Sequence, residues 1–266
     1  MTEGIEEGKC DKFYRAAMVL LQKANVPFLV GGAYGLGVYT GISRDTKDFD
    51  LFLEPKDVVR ALEVFRAGGY EGERTFPHWL AKAKCGEEVI DLIYRAGNGL
   101  CQVDASWFSR ARDGELLGIP VKLCAPEEIV WMKAFIMERE RYDGADIVHL
   151  IESCADSIDW EHLLNRFGQD WRLLLSHLVL FGYVFPSERD RVPKRILDLL
   201  IDRLKNEPVN KADRTCRGTL ISRQQYLRDI EERGFRDARL DDRVRMNDAD
   251  IEHWTDAIAR DGSPEQ

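Results

Sequence analysis

Long apolar runs are missing from this 266-residue chain. No stretch reaches the roughly 18 residues that a membrane-spanning helix needs. The first residues, Met1 to Asp11, are acidic and polar and lack the character of a secretory signal. The expectation is a soluble, cytoplasmic protein with no membrane partner. Histidine is sparse, and three of the five residues (His149, His162, His177) fall within helical patterns, where a core or surface role outweighs metal ligation. The six cysteines are scattered, without a C-x-x-C pair or a nearby histidine at finger-like spacing, so a zinc site has no support and they read as reduced thiols. Basic charge is in deficit: 38 Lys and Arg stand against 47 Asp and Glu, for a net charge of −9. That excludes a chain-wide basic surface of the kind that grips duplex DNA non-specifically, but leaves room for a local basic patch.

What is present is enough apolar material for a core, 44% of residues, in a length that suits one or two domains. Composition changes character near the middle. Before Cys124, short aliphatic or β-branched runs alternate with helical stretches: Val26 to Val30, Phe49 to Leu53, Trp79 to Lys84, Glu88 to Tyr94 and Ile119 to Leu123 read as strands. From Pro126 onward apolar residues recur at three- and four-residue spacing, as in Ile129, Met132 and Ile136 and again in Ile147, Leu150 and Ile151. The spacing predicts an α/β domain over residues 1–124 and a helical domain over 125–266, with a helix starting near Ala125 at Pro126-Glu127-Glu128. Asn206 to Thr219 reads as a loop, and Cys216 to Arg239 as arginine-rich helical material. Residues 203–245 carry twelve Lys and Arg against eight Asp and Glu, a local +4 that suits either a salt-bridged helix face or a phosphate or RNA contact surface.

The chemistry concentrates between Pro27 and Leu53, in PFLVGGAYGLGVYTGISRDTKDFDLFL. A buried strand ends in Gly31-Gly32, a helix runs from about Ala33 to Tyr39, a loop spans Thr40 to Lys47, and a second strand carries Asp48 and Asp50. Strand side chains alternate between faces, so these two aspartates share one side while Phe49 and Leu51 point to the core. Like charges placed this close oppose folding unless a cation sits with them. In Glu88 to Tyr94 a single acid, Asp91, interrupts an apolar run, and a buried carboxylate needs a partner or a metal. Three carboxylates from two strands suit a two-metal centre acting on a triphosphate, and oxygen-only ligands select Mg²⁺ or Mn²⁺. Gly31 and Gly32 at a strand-to-helix turn allow phosphates to approach backbone N–H groups and the positive end of a helix dipole. Arg44 suits bidentate contact with a triphosphate, with Thr46 and Lys47 beside it, although all three also fit a plain charged loop.

Val30-Gly31-Gly32, a helix, Asp48-Phe49-Asp50-Leu51 and then Ile90-Asp91-Leu92 form a pattern that resembles the nucleotidyltransferases of the DNA polymerase beta superfamily. The form Arg44-x-Thr46-x-Asp48-x-Asp50 is similar to a bacterial branch that includes tRNA-end-adding enzymes and abortive-infection type nucleotidyltransferase toxins. The resemblance spans about Val26 to Ile151. It implies a polymerase-beta-like α/β (α+β) domain with a mixed sheet, followed by a helical domain. It further implies transfer of a nucleoside monophosphate from an NTP to an acceptor hydroxyl or phosphate, releasing pyrophosphate. Asp48 and Asp50 would hold the metal ions, Asp91 would act with them on the nucleophile, and Gly31 and Gly32 would cradle the β- and γ-phosphates. Lys133, Asp143 and Asp146 would extend the phosphate-binding set, although the basic residue expected just before Asp143 is replaced by Tyr142. An RNA acceptor such as a tRNA 3′ end is the foremost expectation. Small-molecule and protein acceptors, or a non-catalytic nucleotide- or RNA-binding partner in a toxin–antitoxin pair, are the alternatives.

Overall fold

The computed structural model describes residues 9–42 and 48–260. The chain divides into two compact units. One comprises the chain up to Arg95 together with Gln102–Ala125, and the other comprises Ala96–Cys101 together with the chain from Pro126 onward.

The first unit is built on a mixed seven-stranded sheet. Its strands are β1 (Leu29–Val30), β2 (Asp48–Phe52), β3 (Glu71–Phe76), β4 (Leu80–Cys85), β5 (Glu88–Ile93), β6 (Arg112–Leu116) and β7 (Ile119–Leu123), in the order β3-β4-β5-β2-β1-β7-β6. β2 runs parallel to β5 and β1 parallel to β7, while the remaining pairs are antiparallel. The helices are α1 (Lys9–Lys23), α2 (Gly32–Thr40), α3 (Val58–Ala67) and α4 (Ala105–Ser109). Amphipathic α1 and α3 bury Tyr14, Ala17, Met18 and Leu21, and Val58, Ala61, Leu62 and Phe65, in one core with Phe49, Leu51, Ala81, Ala83, Ile90 and Leu92. Each fully buried Phe or Leu contributes about 1.5–3 kcal/mol. That sum fixes which face of β2, β4 and β5 turns inward. A one-residue slip of β2 would exchange Phe49 and Leu51 for two aspartates, so the core locks the register of the acidic strand.

The second unit contains α5 (Pro126–Lys133), α6 (Gly144–Cys154), α7 (Trp160–Phe167), α8 (Trp171–Val184), α9 (Lys194–Asn206), α10 (Leu227–Glu231) and α11 (Asp248–Arg260), with a small parallel pair, β8 (Thr215–Cys216) and β9 (Arg236–Asp237). Val130, Ile147, Ile151, Leu163, Phe167, Trp171, Leu174 and Phe181 are buried here. Glu128, fully buried, is matched by His162 at 2.7 Å and Arg166 at 2.9 Å, as a buried charge requires. Residues 96–101 join this unit because Ala96, Leu100 and Cys101 pack with Leu220, Ala238 and Val244, and because buried Asn98 donates from Nδ2 to the Leu220 carbonyl at 2.7 Å.

Several sequence expectations are revised. β1 is two residues long: Leu29 pairs with Phe52 of β2, while Val30 pairs with both Leu51 of β2 and Leu123 of β7. β3 and β6 are strands that alternation did not reveal. α5 stops at Lys133 instead of continuing through Ile136, and the chain then doubles back through a bridge between Met137 and Tyr142. Cys216 to Arg239 is broken into short pieces around α10, with Gly234 in a left-handed turn. Among the described residues no helix is long and apolar enough to cross a membrane.

Candidate active site

The acidic strand β2 alternates as the sequence requires: Phe49 and Leu51 are fully buried, while Asp48 and Asp50 are partly exposed on the opposite face. In the parallel β2–β5 pairing Asp50 stands directly opposite Asp91. In the antiparallel β4–β5 pairing Asp91 stands opposite Lys82. Lys82, Asp91 and Asp50 thus form one row across three strands, and Lys82 Nζ lies 3.1 Å from Asp91 Oδ1.

The diglycine turn meets this row from the strand beside β2. The Gly31 N–H donates to the Asp50 carbonyl at 3.3 Å, and α2 opens with the Gly35 N–H donating to the Gly31 carbonyl at 2.8 Å. Gly32 has φ of +55°, and a Cβ there would fall 1.7 Å from Asp50 Oδ2. A Cβ on Gly31 would fall 2.4 Å from the Phe52 ring. Both positions therefore demand glycine for close approach, and Gly32 also for its left-handed backbone. The turn seats the Asp50 carboxylate against the start of α2.

The Asp91 carboxyl is raised above the usual carboxylate range. Burial is the main cause, opposed by the charge and hydrogen bonding of Lys82 and reinforced by the negative charge of Asp48. Its Oδ1 is buried and makes no well-aligned hydrogen bond. The sequence alone does not single out Lys82. The signal was the alternation Leu80-Ala81-Lys82-Ala83-Lys84, which places both lysines on the face opposite the buried alanines, but only the strand register reveals which acids they meet. Lys84 turns to Glu73 at 2.8 Å and holds that carboxyl below its ordinary range, whereas Lys82 turns to Asp91.

Lys133, Asp143 and Asp146, expected together from the resemblance, do meet within the second unit. Lys133 Nζ lies 2.6 Å from Asp143 Oδ2 and 2.8 Å from Asp146 Oδ2, and both aspartates are buried. The basic partner expected immediately before Asp143 is supplied one residue earlier. Arg141 donates from Nε and Nη2 to the two oxygens of Asp143, each at 2.9 Å. Burial raises the Asp143 carboxyl, but Arg141 and Lys133 together outweigh it and leave the group below its usual range. Tyr142 instead folds over Gly144, where a Cβ would fall 2.1 Å from its ring, and stacks on His177. Burial lowers the His177 imidazole, which is 1% exposed, and the Ala134 backbone only partly opposes this. Arg44, Thr46 and Lys47 lie outside the described residues.

Among the described residues no three His, Cys, Asp or Glu side chains converge as a ready metal cage. The chemistry of the donors nevertheless suits a hard divalent cation: Asp48, Asp50 and Asp91 carry carboxylate oxygens on adjacent positions of one sheet, and the buried Asp91 Oδ1 has the Lys82 ammonium 3.1 Å away but no aligned hydrogen bond.

Residues 11–181 match the family described as nucleotidyl transferase of unknown function (DUF2204), and the chain belongs to that family. It is a nucleotidyltransferase. No curated protein matches it. Among solved structures, the chain is similar to the antibiotic-resistance factor ANT(2'')-Ia, at 17% identity over 63% of this chain and 95% of that one, with a TM-score of 0.45. It is also similar to an antigenic nucleotidyltransferase-like protein from Paracoccidioides brasiliensis, at 19% identity over 69% and 91% of the two chains, with a TM-score of 0.44. A third is the lincosamide antibiotic adenylyltransferase LnuA, at 13% identity over 54% and 96%, with a TM-score of 0.38.

Proposed function

We propose that the protein transfers a nucleoside monophosphate from an NTP to an acceptor hydroxyl, with Asp48, Asp50 and Asp91 as the catalytic and metal-binding set. The observation that carries this reading is the row in which Asp50 faces Asp91 across paired strands while Gly32 leaves space only for the Asp50 carboxylate. Asp48 and Asp50 would hold Mg²⁺ or Mn²⁺, which when bound would offset the charge developing on the transferred phosphoryl group. The acceptor oxygen forms a bond to the α-phosphorus, the bond from that phosphorus to the bridging oxygen breaks, and pyrophosphate leaves. Asp91, whose raised proton affinity suits a base, takes the proton from the acceptor. The backbone at Gly31 and Gly32 offers N–H groups to the β- and γ-phosphates. Lys133 has its charge already met by Asp143 and Asp146, which supports a role in holding the turn from α5 to α6.

For the acceptor, the local +4 segment is the observation that bears on RNA. Arg217, Arg223, Arg228, Arg233, Arg236, Arg239 and Arg243 are each ion-paired with an acid of this chain. That arrangement weakens an RNA-binding surface and favours a small-molecule acceptor bearing positive charge, drawn by the acidic balance of the chain. The test is incubation with Mg²⁺ and each α-labelled NTP in cell extract beside Asp48→Asn and Asp50→Asn. Label entering a small molecule, and absent with both variants, is the expected result. Label in RNA would replace the acceptor assignment, and undiminished transfer by both variants would sink the site.

A further inference from the structure

Among the described residues, Lys82 is a cation on the sheet face that carries the acids, turned toward them. Lys82 projects from β4 between Glu73 and Asp91 in the cross-strand register, yet its Nζ lies 3.1 Å from Asp91, while Glu73 is taken by Lys84. The Lys82 side chain is 24% exposed and that of Asp91 13%, so the pair is largely shielded and its attraction is screened less than that of a surface pair. The alternation of β4 puts Lys82 here by construction. Ala81 and Ala83 are locked in the core, so the lysine cannot leave this face without unpacking the strand.

The charges have a consequence for metal binding. Asp48, Asp50 and Asp91 bring three negative charges and Lys82 one positive, so the four side chains sum to −2. An ion approaching Asp91 meets a like charge already seated at one of its oxygens. Binding must either displace that ammonium or share the carboxylate with it, and both weaken the hold on the ion.

We propose, resting on the catalytic reading above, that Lys82 is a positioning residue that competes with the divalent ion for Asp91. It keeps the carboxylates from retaining an ion until a nucleoside triphosphate contributes its own oxygens. The protein then loads metal and nucleotide together.

The test is a Mn²⁺ titration of the full chain, followed by the electron paramagnetic resonance signal of free Mn²⁺, with and without a non-hydrolysable NTP analogue. Lys82→Met keeps the length of the side chain and removes the charge. Without nucleotide its Kd for Mn²⁺ is expected to fall roughly five- to tenfold, as loss of one like charge near the ion implies. Lys82→Arg is expected to restore the weak wild-type binding. With the analogue present, the gap between wild type and Lys82→Met is expected to narrow. A gain in affinity cannot come from damage to the fold, so a merely structural lysine would not produce it. Unchanged or weaker Mn²⁺ binding by Lys82→Met overturns the proposal. Asp50→Asn separates the two readings. If it abolishes Mn²⁺ binding while Lys82→Met has no effect, only the role of Lys82 fails. If it leaves binding intact, the assignment of the acidic row as the metal site fails.

Discussion

Gly32 and Asp50 are locked together: the Oδ2 of Asp50 lies 1.7 Å from the point where a side chain on Gly32 would begin. The diglycine and the acidic strand, sixteen or more residues apart in the chain, are therefore one structural unit. Gly32→Ala is expected to lose transfer activity and to destabilise the protein by about 1–2 kcal/mol from its left-handed backbone alone, with the displaced Asp50 adding to that. Denaturant unfolding beside a labelled-nucleotide transfer assay checks both effects. A stable, active Gly32→Ala protein would contradict the close packing of these two residues.

Lys133 is the shared partner of two buried carboxylates. Lys133→Met leaves Asp146 without this counter-charge and Asp143 with Arg141, and is expected to cost about 3–5 kcal/mol, as breaking a buried pair from one side does. Adding Asp146→Asn should recover part of that loss. A double-mutant cycle measures the coupling, and strictly additive effects would show that the pair contributes nothing.

Acid should weaken the second unit through Asp143 and Asp237. Both are raised by burial but held below their ordinary range overall, Asp143 by Arg141 and Lys133 and Asp237 by Arg239 and Thr219. A depressed folded-state value means that the stabilisation is fully present above the unfolded value near ~3.9 and is lost as pH falls through the lower folded value. Urea midpoints measured from pH 5 downward should drop through that range. Asp143→Asn, less stable at neutral pH, should show a flatter decline, and an unchanged slope would refute the linkage.

Asn98 reaches from the loop 96–101 to the Leu220 carbonyl at 2.7 Å and accepts from the Leu100 N–H at 3.0 Å, with 3% exposure. Asn98→Ala strands a buried carbonyl and is expected to cost about 1–3 kcal/mol. Hydrogen exchange at the Leu100 amide should quicken markedly. No change there would mean that the loop is held by its apolar contacts alone.

The sequence by itself determined the parts that depend on local periodicity. Alternation in Asp48-Phe49-Asp50-Leu51 decides which side chains share a face, and spacing after Pro126 decides that the second half is helical, because both follow from backbone geometry over a few residues. Edge strands β3 and β6 are not legible in the sequence because their segments, EGERTF and RDGEL, carry mostly polar residues and owe their pairing to neighbours. Only the tertiary structure decided that Lys82 faces Asp91, that Arg141 rather than residue 142 meets Asp143, and that residues 96–101 pack with the helical unit. Each of these rests on register or on contacts between distant segments, and a side chain's partner across strands is set by how the strands align, which no single segment encodes.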